Sequence, residues 1–407
     1  MSRGHYSEAY DLLHAAALPD AHVWERFCAA QQADFGRSRH WEFVAIALLH
    51  CFDTADALAP QIRDRLVAMQ PFWHTRHESM NFRLMRAVAE ARLDGRRVTA
   101  SDLVAIGLVP RTDGALPDGR EGVSTQYHAY MLLLLLRWGQ RQDAALHQIV
   151  EKGFLWLHSV WHRYGDPSPL GRGRFQLFGY AALAAACEWA QGWGLAQPEG
   201  YIAHIHDRLD PEQPDGALSA RWTGPFRDVL LHGYNTPDDY RAFAKFWTAG
   251  ISRSATTKAP DTLVRHPLDF SSGCLIADGE GPLAAITASP LVPPEDKGRK
   301  QELREALHNI LRKPRYAENL LPEPLTEAGF RFGDMHFRYD GENLLMEAPA
   351  MSFQRSPVIW IREGTRAPET EGALETAVWS WSRPNAPAWR GHTFRIFGEA
   401  RLRCPLR

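Results

Sequence analysis

The stretch Tyr127-His-Ala-Tyr-Met-Leu-Leu-Leu-Leu-Leu-Arg-Trp138 identifies the N-terminal half of the chain as helical. It opens on polar aromatic residues and continues as an apolar run over residues 131–136. This pattern predicts a helix that enters a hydrophobic core from a polar end. The run is far shorter than the roughly 20 apolar residues that span a bilayer, so it indicates a buried helix of a folded domain.

Other segments before residue 250 share this helical character, because they are rich in Ala, Leu and Arg and repeat apolar residues every three or four positions. They cover residues 6–17, 21–33, 41–51, 62–69, 80–94, 144–161, 175–193 and 240–250. Gly, Pro and Asp mark the joints between them. Many helices with short and medium loops predict stacked hairpins, either a solenoid or a closed toroid. No clean repeat is visible, which disfavours the solenoid.

After about residue 255 the sequence changes to short β-prone segments separated by turns such as Asp278-Gly279 and Asp340-Gly341. These segments cover residues 263–266, 274–277, 283–287, 330–332, 336–339, 343–346, 358–361 and 377–381, with one helix predicted over 300–312. We therefore predict an α+β chain. An (α/α) helical toroid, complete or incomplete, occupies residues 1–250, and an antiparallel β-rich domain occupies residues 251–407, with a linker at 252–260.

Composition narrows the functional class. The chain has 407 residues, of which 45% are apolar, and 46 basic residues stand against 48 acidic ones. This balance argues against a nucleic-acid surface. Five scattered cysteines without close pairs argue against a disulfide scaffold or a zinc–thiolate site. The N-terminus shows no apolar leader, so we expect a cytoplasmic protein. We also expect no membrane span, no metal and no other cofactor.

Three loop-and-helix-start segments are candidates for a functional cleft. In the first, Asp118 and Glu121 supply carboxylates, and Tyr127, His128 and Tyr130 open the Leu-rich helix. The histidine is a candidate general base near neutral pH, and either tyrosine is a candidate proton donor. A capped helix whose tyrosine rings pack in the core explains the same residues without chemistry.

The second segment runs over residues 165–180 and places Arg172 and Arg174 before an apolar helix that contains Tyr180. A guanidinium group presents a planar fork of donors, so this pair predicts binding of a carboxylate or of several hydroxyls. Pairing of the two arginines with acidic loops is the alternative.

The third segment places His232, Tyr234 and Asn235 before a helix that starts near Pro237. Capping explains the proline in the first helical turn. It does not explain the polar cluster, which we interpret as substrate-binding.

Together, these segments resemble a bacterial glycoside hydrolase family, family 154, along residues 110–275. The matching elements are Gly171-Arg-Gly173, Gly233-Tyr-Asn-Thr-Pro237, Lys245-Phe246, and Asp118-Gly119 with Tyr127 and Tyr130. The family's Tyr-Arg pair is replaced here by Gln176 and Leu177. The resemblance implies an (α/α) toroid with a β-rich C-terminal domain and glucuronidase-like hydrolysis of glycans that contain uronic acid.

Hydrolysis needs two carboxylates across the scissile bond. The candidates are Asp118, Glu121, Asp215 and Asp228, and the sequence does not pair them. We predict a catalytic group of Asp118, Glu121, His128 and Tyr180, with the remaining cleft residues binding an acidic oligosaccharide or polysaccharide.

Two alternatives remain at this level. A looser similarity to toroid-type polysaccharide lyases implies β-elimination, with His128 as base, Tyr180 as acid, and Arg174 with Glu121 neutralising the substrate carboxylate. The second alternative is a non-catalytic glycan-binding protein of a polysaccharide operon. Replacement of the family's Tyr-Arg pair by Gln176 and Leu177 fits this alternative.

Overall fold

The computed structural model places two kinds of secondary structure in separate parts of the chain. The described residues are 25, 29, 41–53, 59–72, 79–118, 123–160, 177–195, 237–249, 251, 268–270, 273–278, 281–287, 323–326, 329–332, 335–348, 358–362, 366–383 and 386–406. Residue contacts form two compact units. The first comprises Met1–Arg120, Gln126–Phe154 and Phe175–Ala259, and the second comprises Glu121–Thr125, Leu155–Arg174 and Pro260–Arg407.

The described helices all precede residue 250. They are α1 (Trp41–Phe52), α2 (Ala59–Met69), α3 (Met80–Leu93), α4 (Ala100–Ala105), α5 (Thr125–Trp138), α6 (Ala144–Val160), α7 (Leu177–Gln191) and α8 (Pro237–Trp247). Seven of them were predicted, with ends that differ by up to about three residues. The short α4 was not predicted, although Thr99 and Asp102 form a capping box at its start. The helix predicted at 6–17 and most of the one at 21–33 lie outside the described residues.

Aromatic rings join the first turns of four helices. Phe43 of α1 stacks on Tyr130 of α5 with ring centroids 5.3 Å apart, and meets Phe82 of α3 edge-on at 5.7 Å. Phe178 of α7 packs against Tyr130 at 5.2 Å and against Phe43 at 6.1 Å. Since each ring lies within the first two turns of its helix, α1, α3, α5 and α7 begin at the same end of this unit.

The same four helices form the apolar core of the first unit. Residues 131–136 of α5 are fully buried, and so is most of α1 and α7. By contrast, α2 buries only Ile62, Leu66 and Met69, at steps of three and four residues. α2 is therefore apolar on a single stripe, whereas α1, α5 and α7 are buried over most of their surface.

The second unit contains an antiparallel sheet. Its described strands are β1 (Leu268–Phe270), β2 (Gly273–Asp278), β3 (Gly281–Thr287), β4 (Glu323–Thr326), β5 (Gly329–Phe332), β6 (Met335–Tyr339), β7 (Asn343–Ala348), β8 (Val358–Arg362), β9 (Glu369–Arg383) and β10 (Ala386–Pro405). The strand order is β1-β2-β3-β8-β10-β7-β6-β5-β4, with β9 paired to β10. The mixed helical and antiparallel class is therefore confirmed, while the toroid stays a prediction.

The long strand β10 connects two halves of this sheet. It pairs with β8 over residues 389–393 and with β7 over residues 400–405, and β9 pairs with both stretches. A bulge between Ile396 and Ala400 separates the two stretches. In the second stretch every other side chain is buried, namely Ala400, Leu402 and Cys404, as expected for a strand with one face in the core.

Three strands, β1, β4 and β10, were not predicted. The predicted strand at 263–266, the linker at 252–260 and the helix at 300–312 lie outside the described residues. No helix in the described part of the chain combines the length and apolarity that crossing a membrane requires.

Candidate functional site

Buried polar side chains collect where α3 and α5 begin. Ser79, Asn81, Asp118, Gln126 and His128 are all buried, although most of their neighbours along the helices are apolar. Burying a polar group without a hydrogen bond costs free energy, so each of these side chains needs a structural or functional reason.

Ser79 fixes Asp118. The hydroxyl of Ser79 donates a hydrogen bond of 3.3 Å to Oδ1 of Asp118. Ser79 occupies the N-cap position of α3 but makes no side-chain capping bond to that helix. A serine at this position ordinarily accepts from the first-turn amides. Here its hydroxyl instead orients a buried carboxylate, which is the kind of group that serves in acid–base chemistry.

Asn81 and Gln126 are buried amides in the first turns of α3 and α5. Neither oxygen nor nitrogen of either amide has a hydrogen-bond partner among the described residues. Asn81 lies one helical turn before Met85, and Gln126 lies one turn before Tyr130. The Tyr130 hydroxyl donates to Sδ of Met85 at 3.3 Å, so these stripes of α3 and α5 face each other. The two amides therefore lie one turn closer to the helix starts than this contact.

These amides provide a balanced set of polar atoms. Each offers two N–H donors and one carbonyl acceptor. A partner that both donates and accepts, such as a hydroxyl group, satisfies them best. The arrangement differs from an anion site, which would present donors alone.

A glycine on α7 leaves room for Gln126. A Cβ atom at Gly179 would collide with Cγ of Gln126 and would lie 2.9 Å from its Cβ. Beside it, Tyr127 is half-buried and packs on Phe178 with ring centroids 5.4 Å apart. Tyr127 is thus the predicted site tyrosine that retains exposed surface.

His128 has a structural role that its predicted role as a base did not anticipate. Its Nδ1 accepts a hydrogen bond of 2.9 Å from the Leu116 amide, and Nε2 lies 2.8 Å from the Gly153 carbonyl oxygen. Since an amide only donates and a carbonyl only accepts, the ring is neutral and carries its proton on Nε2. Burial lowers the pKa of His128 to about 4, and the bond to Gly153 opposes this shift only in part.

The prediction of His128 as general base therefore does not match this geometry. Both ring nitrogens are bonded to main-chain groups, and the side chain is fully buried. Tyr130 and Tyr180 are also fully buried, and Tyr130 lies within the aromatic core. Their roles as a substrate-binding residue and a proton donor stay predictions.

The other predicted site residues fall in stretches that the structure does not describe. They are Glu121, Arg172, Arg174, His232, Tyr234 and Asn235. Of the predicted set, Asp118 and Tyr127 keep positions suited to a site. Ser79, Asn81 and Gln126 were not predicted. A polar residue in the first turn of the Leu-rich helix α5 was the signal that could have found Gln126, whereas no sequence signal marks Asn81.

Within the described residues, no three His, Cys, Asp or Glu side chains are grouped to hold a metal ion. No protein-family model, no curated protein and no solved structure matches this chain. The site must therefore be interpreted from its own residues.

Proposed function

We propose that this chain is a carbohydrate-active enzyme that hydrolyses glycans containing uronic acid, in the manner of a glucuronidase. The observation behind the proposal is the buried Asp118, oriented by Ser79 at the helix start that also bears the unpartnered Asn81 amide. In this proposal α1, α3, α5 and α7 are inner helices of an (α/α) toroid, and the substrate approaches their first turns.

Each polar group has a defined task in the proposal. Asp118 is one of the two carboxylates that glycoside hydrolysis requires, and Glu121 is the candidate for the second. Tyr127, which retains exposed surface, contacts the sugar. The buried amides of Asn81 and Gln126 offer N–H donors and carbonyl acceptors to a hydroxyl group that enters between the first helical turns. The substrate carboxylate is assigned to Arg172 and Arg174, whose guanidinium groups suit bidentate binding.

The environment of His128 favours hydrolysis over elimination. A lyase of the type considered above needs a base that removes a carbon-bound proton. A general base must reach that proton directly or through one water. The two ring nitrogens of His128 are already bonded to Leu116 and Gly153, so this residue is a poor candidate for that step.

The test is incubation of the purified full chain with a panel of glycans that contain glucuronic or galacturonic acid. We expect new reducing ends without the ultraviolet absorbance of an unsaturated uronate. Appearance of that absorbance would show that the chain is a lyase and not a hydrolase. Glycan binding with neither product would replace both with the non-catalytic binding protein.

Asp118→Asn is the decisive variant, because it preserves the shape of the side chain and removes its charge. We expect turnover to fall by about 10²–10⁴-fold, the usual contribution of an acid–base group. Asp64→Asn is the matched control, since Asp64 is exposed on α2. Unchanged turnover in a folded Asp118→Asn protein would exclude Asp118 from catalysis.

A further inference from the structure

A second polar cluster lies where the core helices end. Asp53 directly follows α1, Arg92 lies in the last turn of α3, and Arg137 and Trp138 end α5. Trp189 lies in the last turn of α7. These residues are separated from the Asp118 site by the length of the helices, so they form a distinct feature of the same unit.

Arg137 is the central residue of this cluster. Its side chain is 6% exposed, and its nearest carboxylate oxygen, Oδ2 of Asp53, is 3.9 Å away. That separation is longer than a hydrogen bond. The guanidinium group lies 4.1 Å from the centre of the Trp189 ring and 5.4 Å from that of Trp138. Its Nε has no hydrogen-bond partner among the described residues, although buried arginines are ordinarily paired.

Asp53 is already engaged by other donors. Nη2 of Arg92 donates to Oδ1 of Asp53 at 2.6 Å, and the Trp138 indole N–H donates to Oδ2 at 2.8 Å. Arg97 adds a third positive charge, and its Nη1 donates to the Arg137 carbonyl oxygen at 3.1 Å. Arg92 and Arg137 therefore share one carboxylate, and Arg97 lies beside the main chain of Arg137.

Three of the polar atoms left over at this end are donors. Within the described part of the chain, Nε of Arg92, Nε of Arg137 and the indole N–H of Trp247 are buried and unpartnered. Trp247 packs edge-on against Trp138 with ring centroids 6.3 Å apart. An excess of donors and of positive charge calls for an acceptor that carries negative charge. This contrasts with the balanced amides of Asn81 and Gln126.

We propose that this arginine cluster, Arg92, Arg97 and Arg137 with Asp53, Trp138 and Trp189, binds a small oxyanion of the carboxylate or phosphate type. The oxyanion accepts from the forks of Arg137 and Arg92 and reaches them beside Asp53. The side chains of Asp53 and Arg92 are each 21% exposed, so this approach is open to solvent. Burial is the main cause that lowers the pKa of Arg137 to about 10, and the charges of Arg97 and Arg92 add to it.

The test is thermal unfolding of the full chain in chloride buffer against inorganic phosphate and against acetate, at matched ionic strength. We expect one of the two oxyanions to raise Tm in a saturable way, because a ligand bound to the folded state alone stabilises it. The oxyanion that raises Tm identifies the chemical class of the ligand as a phosphate or a carboxylate. No rise above chloride with either oxyanion would overturn the proposal.

Variants locate the effect. Arg137→Gln and the more exposed Arg92→Gln should each weaken the apparent affinity by about tenfold or more, since each removes a charge-assisted contact. Arg96→Gln is the control, because Arg96 is 46% exposed and pairs with Asp102. If Arg137→Gln does not fold, Arg92→Gln decides. Equal responses of Arg92→Gln, Arg96→Gln and the unmodified protein would refute the site.

A further variant separates a binding site from a purely structural cluster. Asp53→Asn removes the carboxylate that competes with the oxyanion, so its Tm should fall and the oxyanion should restore more of it than in the unmodified protein. A structural cluster predicts the fall without the enlarged response. That second result would also overturn the proposal.

Discussion

His128 and Gly153 are joined through a buried contact of 2.8 Å between the ring Nε2 and the main-chain carbonyl oxygen. With the bond from the Leu116 amide to Nδ1, the ring connects the loop before α5 to helix α6. A Cβ at Gly153 would lie 3.0 Å from Leu132 but at an ordinary contact distance of 3.6 Å from the His128 ring, so the glycine makes room for Leu132 rather than for the imidazole. The imidazole thus supplies the acceptor that the amide of Leu116, in irregular backbone, would otherwise lack.

The first prediction concerns stability. His128→Leu replaces the imidazole by an apolar side chain of similar size and leaves the Leu116 amide and the Gly153 carbonyl without their present partner. The unpaired Leu116 amide costs about 1–3 kcal/mol and the lost bond to the helical Gly153 carbonyl costs about 0.5–1.5 kcal/mol, so the free energy of unfolding should fall by about 1.5–4.5 kcal/mol in urea titrations. Turnover by the folded fraction should survive. Lost turnover with unchanged stability would restore His128 as a catalytic base.

The second prediction concerns pH. The folded-state pKa of His128 is about 4, below the ordinary 6.5, chiefly because burial disfavours the charged ring. Between pH 4 and 6.5 the ring of His128 is therefore protonated in the unfolded chain but neutral in the folded chain. The free energy of unfolding consequently falls as pH drops from 6.5 to 4. The pKa difference corresponds to about 3 kcal/mol. Urea titrations across this window should show the fall.

His50 adds to the same window. Burial, with a smaller contribution from Arg137, lowers its pKa to about 4, while Asp53 opposes the shift. The slope of stability against pH should therefore shrink in His128→Leu but not vanish. A slope that is identical in the two proteins would show that His128 titrates normally.

The third prediction concerns the strand bulge of β10. Gly372 has a φ of 92°, and a Cβ there would collide with the Glu399 carbonyl oxygen and lie 3.0 Å from Cα of Ala400. Gly341 has a φ of 98° but no heavy atom within 4 Å of its virtual Cβ. Gly341→Ala should cost about 1–2 kcal/mol through φ alone. Gly372→Ala should cost about 3 kcal/mol or more, since overpacking is added.

Both variants are measured by chemical unfolding under the same conditions. Equal costs would mean that Gly372 is required only for its backbone conformation. The bulge would then not hold β9 and β10 as closely as the structure shows.

Periodicity predicted most of the described secondary structure because a continuous apolar stripe fixes a helix before tertiary contacts are known. It failed at β10, where Gly391, Gly398 and charged residues interrupt the pattern. That strand pairs with the preceding β9 on one edge and with the more distant β7 and β8 on the other. Local sequence contains little of that information.

The site was harder to predict, because polar type and spacing do not reveal burial. His128 and Tyr130 have the residue types of a catalytic group, yet main-chain partners and aromatic packing occupy them. Asn81 lacks a distinctive motif and became visible only through its unpartnered, buried amide. The relation of Ser79 to Asp118, 39 residues later, needed the fold.

The fourth prediction tests the packing between α5 and α7 beside the proposed site. Replacing a helical glycine by alanine ordinarily stabilises a helix by roughly 0.5–1 kcal/mol. Gly179→Ala should instead destabilise by about 1–3 kcal/mol, because the new methyl group collides with Gln126. In a Gln126→Ala background Cγ is absent, so the penalty should shrink by a coupling energy of about 0.5–3 kcal/mol. Chemical unfolding of the two single variants and the double variant measures that coupling, and additive costs would show that Gly179 does not set the position of Gln126.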